Sequence, residues 1–402
     1  MNQMTGKQIS ILPGMRDFNA REYQTIVGIT TKLVNHIGSH GYRTIDTPMM
    51  EETELFLRKS GGELTERLYS FTDPGGHAVS LRPEFTSSVI RFFIDNQNLL
   101  DTPSRLLYQG PVFRYEPAGN YRQFNQVGAE FIGEADIEAD AEILSMALAG
   151  LRDIGISDGR IQIGHLGILH TLLDSFGLSE ASRWFMIGNI QAIKTKELSN
   201  ADLEQKAINI GLLRQSSDVK FVSSIESMSQ EEAEEFILGI MKEFMPTQVG
   251  RRSTGQIITR MLKKTQQNDS PKAFREALNL LSELSTLEGN CEKIITSARE
   301  IVKNTGLDDS PFDIVEGLIT RLKSSQFESE TLVLDLGLAR GITYYTGMIF
   351  ELATLSRPDT SLGGGGRYDE LIKSLGGPRN VPALGFAYNV DNISSILNSY
   401  NE

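Results

Sequence analysis

Hydrophobic and polar residues alternate through two neighbouring stretches of this chain, in the manner of paired strands. Residues 112–116 (VFRYE) form the first stretch and residues 122–133 (RQFNQVGAEFIG) the second. The residues between them, 117–120 (PAGN), have the composition of a turn. The pattern therefore predicts an antiparallel hairpin.

Polar side chains with apolar neighbours are the unusual feature of this hairpin. Arg114, Arg122, Gln126 and Glu130 all lie on it. Burying a charge is costly unless the charge is paired or bound to a ligand. Either these residues pair with one another or they line a polar ligand pocket, and the residues alone leave both interpretations open.

The remaining chain mixes helical and strand patterns. Helical spacing of apolar residues predicts helices over 21–39 and 139–154, and amphipathic helices dominate 169–329. Strand patterns occur at 69–71, 78–81, 332–336, 340–347, 348–352, 362–369 and 383–390. We therefore predict an α+β protein whose core comes from residues 1–168 and 330–402, with a mainly helical insertion at 169–329.

Composition excludes several classes of protein. The formal net charge of −13 over 402 residues argues against a broad electropositive surface for nucleic acid. Cys291 is the single cysteine, which excludes an intrachain disulfide and a zinc site built on several thiolates. No apolar run approaches the length of a membrane span, so a cytoplasmic protein without membrane contact is expected.

Two further patterns carry weak chemical signals. His36 and His40 lie four residues apart on a predicted helix, but no third ligand accompanies them, so no metal site is predicted. Four consecutive glycines at 363–366 allow close backbone approach. They lack the GK[ST] and GxGxxG contexts of phosphate-binding loops, and a flexible turn is the simpler interpretation.

Several segments together, in order, resemble the motifs of histidyl-tRNA synthetase, a class II aminoacyl-tRNA synthetase. They are residues 12–17 (LPGMRD), 41–51, 81–86 (LRPEFT), the hairpin, 340–345 (RGITYY), 363–369 (GGGGRYD) and 382–387 (PALGFA). The resemblance implies a class II synthetase-like antiparallel sheet of six to seven strands, flanked by helices, and a dimer.

The resemblance also implies a histidine pocket. The family's histidine-binding residues match Glu84, Thr86, Gln126, Glu130, Arg340, Tyr344 and Tyr345, and Arg114 matches the arginine that holds the ATP α-phosphate. Carboxylates and an amide suit an ammonium group and an imidazole N–H, and Arg340 suits a carboxylate.

The catalytic parts of the family's motifs are incomplete here. Asn392 stands where the third motif has an arginine, and Ile342 and Thr343 replace a usual Leu-Asp. The loop between Glu116 and Arg122 is shorter and lacks two arginines, and no anticodon-binding domain follows Asn392. Because nucleotidyl transfer depends on charge stabilisation, these departures predict a paralogue that no longer adenylates histidine.

Such a paralogue is similar to the regulatory subunit of ATP phosphoribosyltransferase. The similarity implies a short-form catalytic subunit as partner, free histidine as ligand, and a homodimer within a hetero-oligomer. No cofactor is expected, and tRNA is not an expected partner. An active histidine-adenylating enzyme and a paralogue serving another complex are the alternatives.

Overall fold

A computed structural model describes residues 9–58, 65–117, 121–213, 269–324, 331–339 and 344–400. These residues divide into two units. The first unit draws on 1–167, 287–298 and 312–402, and the second on 168–286 and 299–311. The predicted insertion, 169–329, therefore supplies residues to both units.

The strands and helices are as follows. The strands are β1 (Arg43–Thr44), β2 (Met50–Glu52), β3 (Ser70–Thr72), β4 (Ala78–Leu81), β5 (Ser104–Phe113), β6 (Gln123–Ile132), β7 (Gly159–His165), β8 (Glu288–Asn290), β9 (Leu332–Asp335), β10 (Met348–Thr354), β11 (Gly363–Arg367) and β12 (Ala383–Asn389). The helices are α1 (Ala20–Ser39), α2 (Thr53–Leu57), α3 (Thr86–Asp95), α4 (Ile137–Asp153), α5 (Leu166–Asp174), α6 (Glu180–Gly188), α7 (Ile190–Lys194), α8 (Asn200–Asn209), α9 (Pro271–Ser285), α10 (Cys291–Asn304), α11 (Asp313–Ser324), α12 (Leu371–Ser374) and α13 (Val390–Tyr400), with a 3₁₀ turn at Ser310–Phe312.

The predicted hairpin is confirmed and lies within the main sheet. Strands β5 and β6 pair antiparallel, with Leu106 opposite Glu130 and Tyr108 opposite Gly128. Residues 118–120 of the predicted turn lie outside the described part of the chain. The apolar residues of the hairpin's second stretch are buried, as its alternation predicted, and Val112 and Val127 are fully enclosed. In the first stretch Phe113 is half-buried and Tyr115 is exposed.

Within the described residues, nine strands form one sheet in the order β1-β5-β6-β12-β11-β10-β7-β9-β8. The expected antiparallel sheet of six to seven strands is wrong in detail, because this sheet is mixed. Strand β1 pairs parallel with β5, and β7 pairs parallel with β9. Parallel neighbours need a long crossover connection, and the helical segment between β7 and β9 provides one of them. A separate three-stranded sheet has the order β2-β4-β3.

Helices cover the sheet of the first unit. Asn19 caps α1 in a reciprocal capping box with Glu22, and α1 packs on α4 and α13 through an apolar stripe that includes Leu33 and Ile37. His36 lies between α1 and α4, with its ring nitrogens 2.6 Å from an Asp153 oxygen and 3.0 Å from the Met146 carbonyl.

The second unit is helical in its described part. Asp269 ties two of its segments together, because both carboxylate oxygens accept the Ser179 backbone N–H and one of them accepts the Ser179 hydroxyl. Helix α9 begins at Pro271 and buries Phe274 and Leu281 in the core of this unit. Trp184 is half-buried and donates its indole N–H to Glu180.

Candidate functional site

A cavity of about 150 Å³ opens in the first unit where β5, β6, β11 and β12 meet the start of α3. Most of the predicted site residues lie around it. Its lining is Glu84, Phe85, Thr86, Tyr108, Arg114, Phe124, Gln126, Tyr344, Tyr345, Ser361, Gly363, Gly364, Gly385, Phe386, Ala387 and Asn389.

Glu130 lies beside the cavity and is fully buried. Its strand register places it opposite Gly385 of β12. The absence of a side chain there is required, because a Cβ on residue 385 would fall 1.6 Å from Glu130 Oε2. The glycine therefore makes room for the carboxyl group between two paired strands.

Three hydroxyl groups surround the Glu130 carboxyl group. Thr86 Oγ1 donates to Oε1 over 2.7 Å, Tyr108 donates to the same oxygen over 3.1 Å, and Tyr368 donates to Oε2. Burial still dominates and, with repulsion from Glu84, raises the pKa of Glu130 to about 8, while the hydroxyl donors oppose that rise.

Glu84 supplies a second buried carboxyl group to the site. Both of its oxygens accept the Ser87 backbone N–H, at 3.1 and 3.2 Å, so the side chain caps the first turn of α3. Burial raises the pKa of Glu84, and the Ser87 N–H and the charge of Arg114 act against that rise. One acidic group thus lines the cavity and a second lies beside it, an arrangement suited to a ligand that carries cationic or N–H donor groups.

Arg114 brings a positive charge to the cavity. Its Nε donates to the Pro83 carbonyl over 2.8 Å, and its guanidinium carbon lies 5.2 Å from the centre of the Phe124 ring. Gln126, on β6, brings an amide side chain to the cavity. Its Oε1 is buried and has no hydrogen-bond partner within the described residues, so this oxygen is available to a ligand donor.

Tyr344 and Tyr345 both line the cavity, with ring centres 4.9 Å apart. The strand predicted over 340–347 is wrong for its described part, because residues 344–347 are not in a strand. Consecutive strand residues point to opposite faces, and these two tyrosines instead face one cavity. Arg340, Ile342 and Thr343 lie outside the described residues, so the expected carboxylate contact of Arg340 stays a prediction.

Some of the hairpin's polar residues line the ligand cavity, as one interpretation predicted, and another is held by contacts within the protein. Gln126 and Arg114 line the cavity, but Arg122 does not. Arg122 donates to the carbonyls of Glu116 and Pro13, over 3.0 and 3.3 Å, and its guanidinium lies on the Tyr115 ring.

Two site residues were missed from the sequence, Tyr108 and Tyr368. Both hydroxyls donate to Glu130. Tyr108 lies opposite Gly128, where a Cβ would come within 2.5 Å of the tyrosine oxygen, but only the structure shows this pairing. Tyr368 directly follows the glycine strand but comes 238 residues after Glu130, so spacing alone gave no link.

The start of α13 directly follows Asn389, which lines the cavity. Asn392 Nδ2 donates to the Ser361 carbonyl over 2.8 Å. Its neighbour Asp391 is buried and accepts from Arg16 over 2.5 Å and from the Asn125 backbone N–H over 2.7 Å. Asn392 is therefore engaged with the backbone at the position where the family motif has an arginine.

Neither metal coordination nor a membrane span is indicated by the part of the chain that the structure describes. Within it, no group of three or more histidine, cysteine, aspartate or glutamate side chains is arranged to hold a metal ion. No described helix combines the length and apolar character needed to cross a bilayer.

Comparison with known proteins identifies the family. The histidyl-tRNA synthetase family profile matches residues 14–230 and 255–393. The histidine–tRNA ligase of Methanocaldococcus jannaschii is 33% identical over 94% of this chain and 74% of its own length. The chain belongs to the histidyl-tRNA synthetase family. The resemblance drawn from the motifs is confirmed at this level.

Solved structures agree on the fold. A crystal structure from Bacillus halodurans, named as an ATP phosphoribosyltransferase regulatory subunit/histidyl-tRNA synthetase, is 24% identical, with a TM-score of 0.67 over 99% of this chain and 84% of its own. Histidyl-tRNA synthetase from Nostoc is 18% identical, with a TM-score of 0.65 over 98% of this chain and 77% of its own. At these identities the structures are similar in fold alone.

Proposed function

We propose that this family member binds free histidine without adenylating it and serves in the cytoplasm as the regulatory subunit of a short-form ATP phosphoribosyltransferase. One contrast carries the proposal. Glu84, Gln126 and the two tyrosines line the pocket, while Asn392, in place of the motif arginine, donates its side-chain amide to the Ser361 carbonyl.

In this proposal Glu84 and Gln126 receive the ammonium group of histidine, and Glu130 with the tyrosines receives the imidazole ring. Buried carboxylates that accept N–H donors form strong charge-assisted hydrogen bonds. The carboxylate of histidine pairs with Arg340. This arrangement needs no catalytic group, because it only holds the amino acid.

The loss of adenylation follows from charge. An arginine that stabilises the charge on transferring phosphates typically contributes about 10³-fold or more to the rate. The neutral amide of Asn392 cannot provide this stabilisation, and its hydrogen bond to a backbone carbonyl leaves it oriented away from such a role. We therefore expect negligible histidine-dependent exchange between ATP and pyrophosphate.

The exchange reaction is the first test. The pure protein is assayed beside a true histidyl-tRNA synthetase, with histidine binding measured on the same sample by calorimetry. Binding without exchange supports the proposal. Exchange that is lost in Arg114→Ala contradicts it and establishes an adenylating enzyme.

An active histidine-adenylating enzyme is the second candidate. Arg114, which matches the ATP-binding arginine, lines the cavity, and relatives at about one-third identity are histidine–tRNA ligases. This candidate predicts ATP binding in the presence of histidine, which the regulatory role does not require.

The partner is tested with a short-form ATP phosphoribosyltransferase. We expect this chain to raise the partner's activity and to make it sensitive to histidine, because histidine must bind one assembly state better than another. Glu130→Ala should keep the activation and lose the histidine sensitivity, whereas the exposed Glu54→Ala should keep both. A homodimer that leaves the partner's rate unchanged would refute the regulatory role.

A further inference from the structure

The buried carboxyl group of Glu84 lines the cavity, and the buried carboxyl group of Glu130 lies beside it. We propose that the empty cavity holds one proton on this pair, on Glu130, and that a ligand N–H group docking there drives the proton into the solvent. This inference rests on the proposed function, because it concerns the same pocket and uses histidine as the ligand.

The surroundings of Glu130 make its charged form unfavourable. The strand backbone at Gly385 closes one side of its carboxyl group so tightly that a Cβ would overlap Oε2. Hydroxyls of Thr86, Tyr108 and Tyr368 occupy the other sides. A carboxylate enclosed in this way has lost its hydration, and neutral hydroxyl donors replace only part of it.

The charged neighbours place the proton on Glu130 and not on Glu84. Repulsion between the two carboxyl groups raises the pKa of Glu130 further. The positive charge of Arg114 instead acts on Glu84, whose oxygens also accept the Ser87 backbone N–H. Glu84 is therefore the better stabilised anion, and the site keeps its proton on the other member of the pair.

The tyrosines around the pair do not supply that proton. Tyr108 reaches Glu130 from β5 and Tyr368 from the end of β11, while Tyr344, in the segment before β10, packs against the rings of Tyr345 and Tyr368. Burial raises the pKa values of Tyr108, Tyr344 and Tyr368 well above their ordinary value. All three stay uncharged at neutral pH, so Glu130 is the group that changes its charge. When it is neutral, its own O–H donates to one of the hydroxyl oxygens around it, and that contact reverses direction.

Proton release has a defined pH dependence. In the empty site the pKa of Glu130 is about 8, so the group is neutral at pH 7. A docked N–H donor favours the carboxylate and lowers this pKa. Below about pH 8 histidine affinity should then rise up to tenfold per pH unit, and above that value it should level off. The free imidazole ring, with a pKa of about 6.5, is mostly neutral across this window.

Calorimetry measures the released proton. Histidine is titrated into the full chain near pH 7 in buffers of different ionisation enthalpy, and the dependence of the apparent heat on the buffer gives the protons released. We expect nearly one proton per histidine near pH 7 and nearly none well above pH 8. Glu130→Gln should abolish the release, and the exposed control Glu54→Gln should retain it.

The outcomes separate this inference from the proposed function. No binding of histidine would overturn both. Binding without proton release would overturn only the inference. Infrared difference spectra of the ligand-free protein give a second readout, because a protonated carboxyl band should titrate near pH 8 and be missing in Glu130→Gln. A Glu130 side chain already ionised at pH 7 would refute the inference whatever the calorimetry shows.

Discussion

Replacing Glu130 with glutamine should stabilise the ligand-free protein, and increasingly so as the pH rises. The substitution keeps the shape of the side chain and, like the neutral carboxyl group, presents one acceptor oxygen and one donor to the surrounding hydroxyls of Thr86, Tyr108 and Tyr368. It removes only the ability to become charged. The difference between the two proteins therefore isolates the free energy of ionising one buried group.

The size of the effect follows from the pKa. Folding raises the pKa of Glu130 from 4.5 to about 8, and each tenfold change in proton affinity corresponds to about 1.4 kcal/mol. A group whose pKa is raised in the folded state favours folding most below its unfolded pKa. That contribution is lost as the pH rises through the folded value. Between about pH 4.5 and pH 8, the unfolding free energy of the wild type should therefore fall by up to about 5 kcal/mol relative to that of Glu130→Gln.

Hydrogen exchange is the appropriate assay. Trp184 belongs to the second unit, so tryptophan fluorescence would report on the wrong part of the chain. Exchange of the amides of β6 and β12 reports the opening free energy of the strands that hold Glu130. Wild type and variant are compared at the same pH, so that the intrinsic exchange rates cancel, with Glu54→Gln as the exposed control. If the opening free energies of wild type and Glu130→Gln changed with pH by the same amount across this range, the reasoning would be refuted.

Three further substitutions test separate parts of the site. Gly385→Ala should cost about 1–3 kcal/mol of unfolding free energy and weaken histidine binding, because its methyl group displaces the Glu130 carboxyl group. Denaturation measures the first effect and calorimetry the second. Asp391→Ala should cost about 3 kcal/mol in denaturation, since it leaves Arg16 without its buried partner, and an unchanged midpoint would contradict this. Asn392→Ala should cost about 1 kcal/mol and leave pyrophosphate exchange at its background level, and a lowered exchange rate would show that the amide takes part in catalysis.

The local sequence pattern was sufficient to predict the strands and helices near the site. Alternation and a turn composition predicted the pairing of β5 and β6, and helical spacing predicted α1 and α4 to within two residues at each end. Each of these signals lies within a short window of sequence. The parallel pairs of β1 with β5 and of β7 with β9 could not be predicted this way, because they join strands separated by long connections.

The same limit applies to the candidate site. Family motifs marked Glu84, Thr86, Gln126 and Glu130, and the structure brings all four to or beside one cavity. The hydroxyl environment that sets the charge of Glu130 depends on Tyr368, which reaches it only through the folded order of the strands. Charge state is therefore a property of the packing and could not be derived from the motifs.

The layout of β12 explains how histidine binding and adenylation can be lost separately. Gly385, near one end of the strand, lies opposite Glu130, while Asn389, at the other end, lies opposite Gln126 and leads into Asn392. Asn389 lies four positions after Gly385, a rise of about 13 Å along the strand. A substitution at 392 thus lies beyond the opposite end of β12 from the carboxyl group that we assign to the imidazole ring. We therefore expect that an arginine can be replaced there without a change in the packing around Glu130, which under our proposal lets the histidine pocket persist as a sensor.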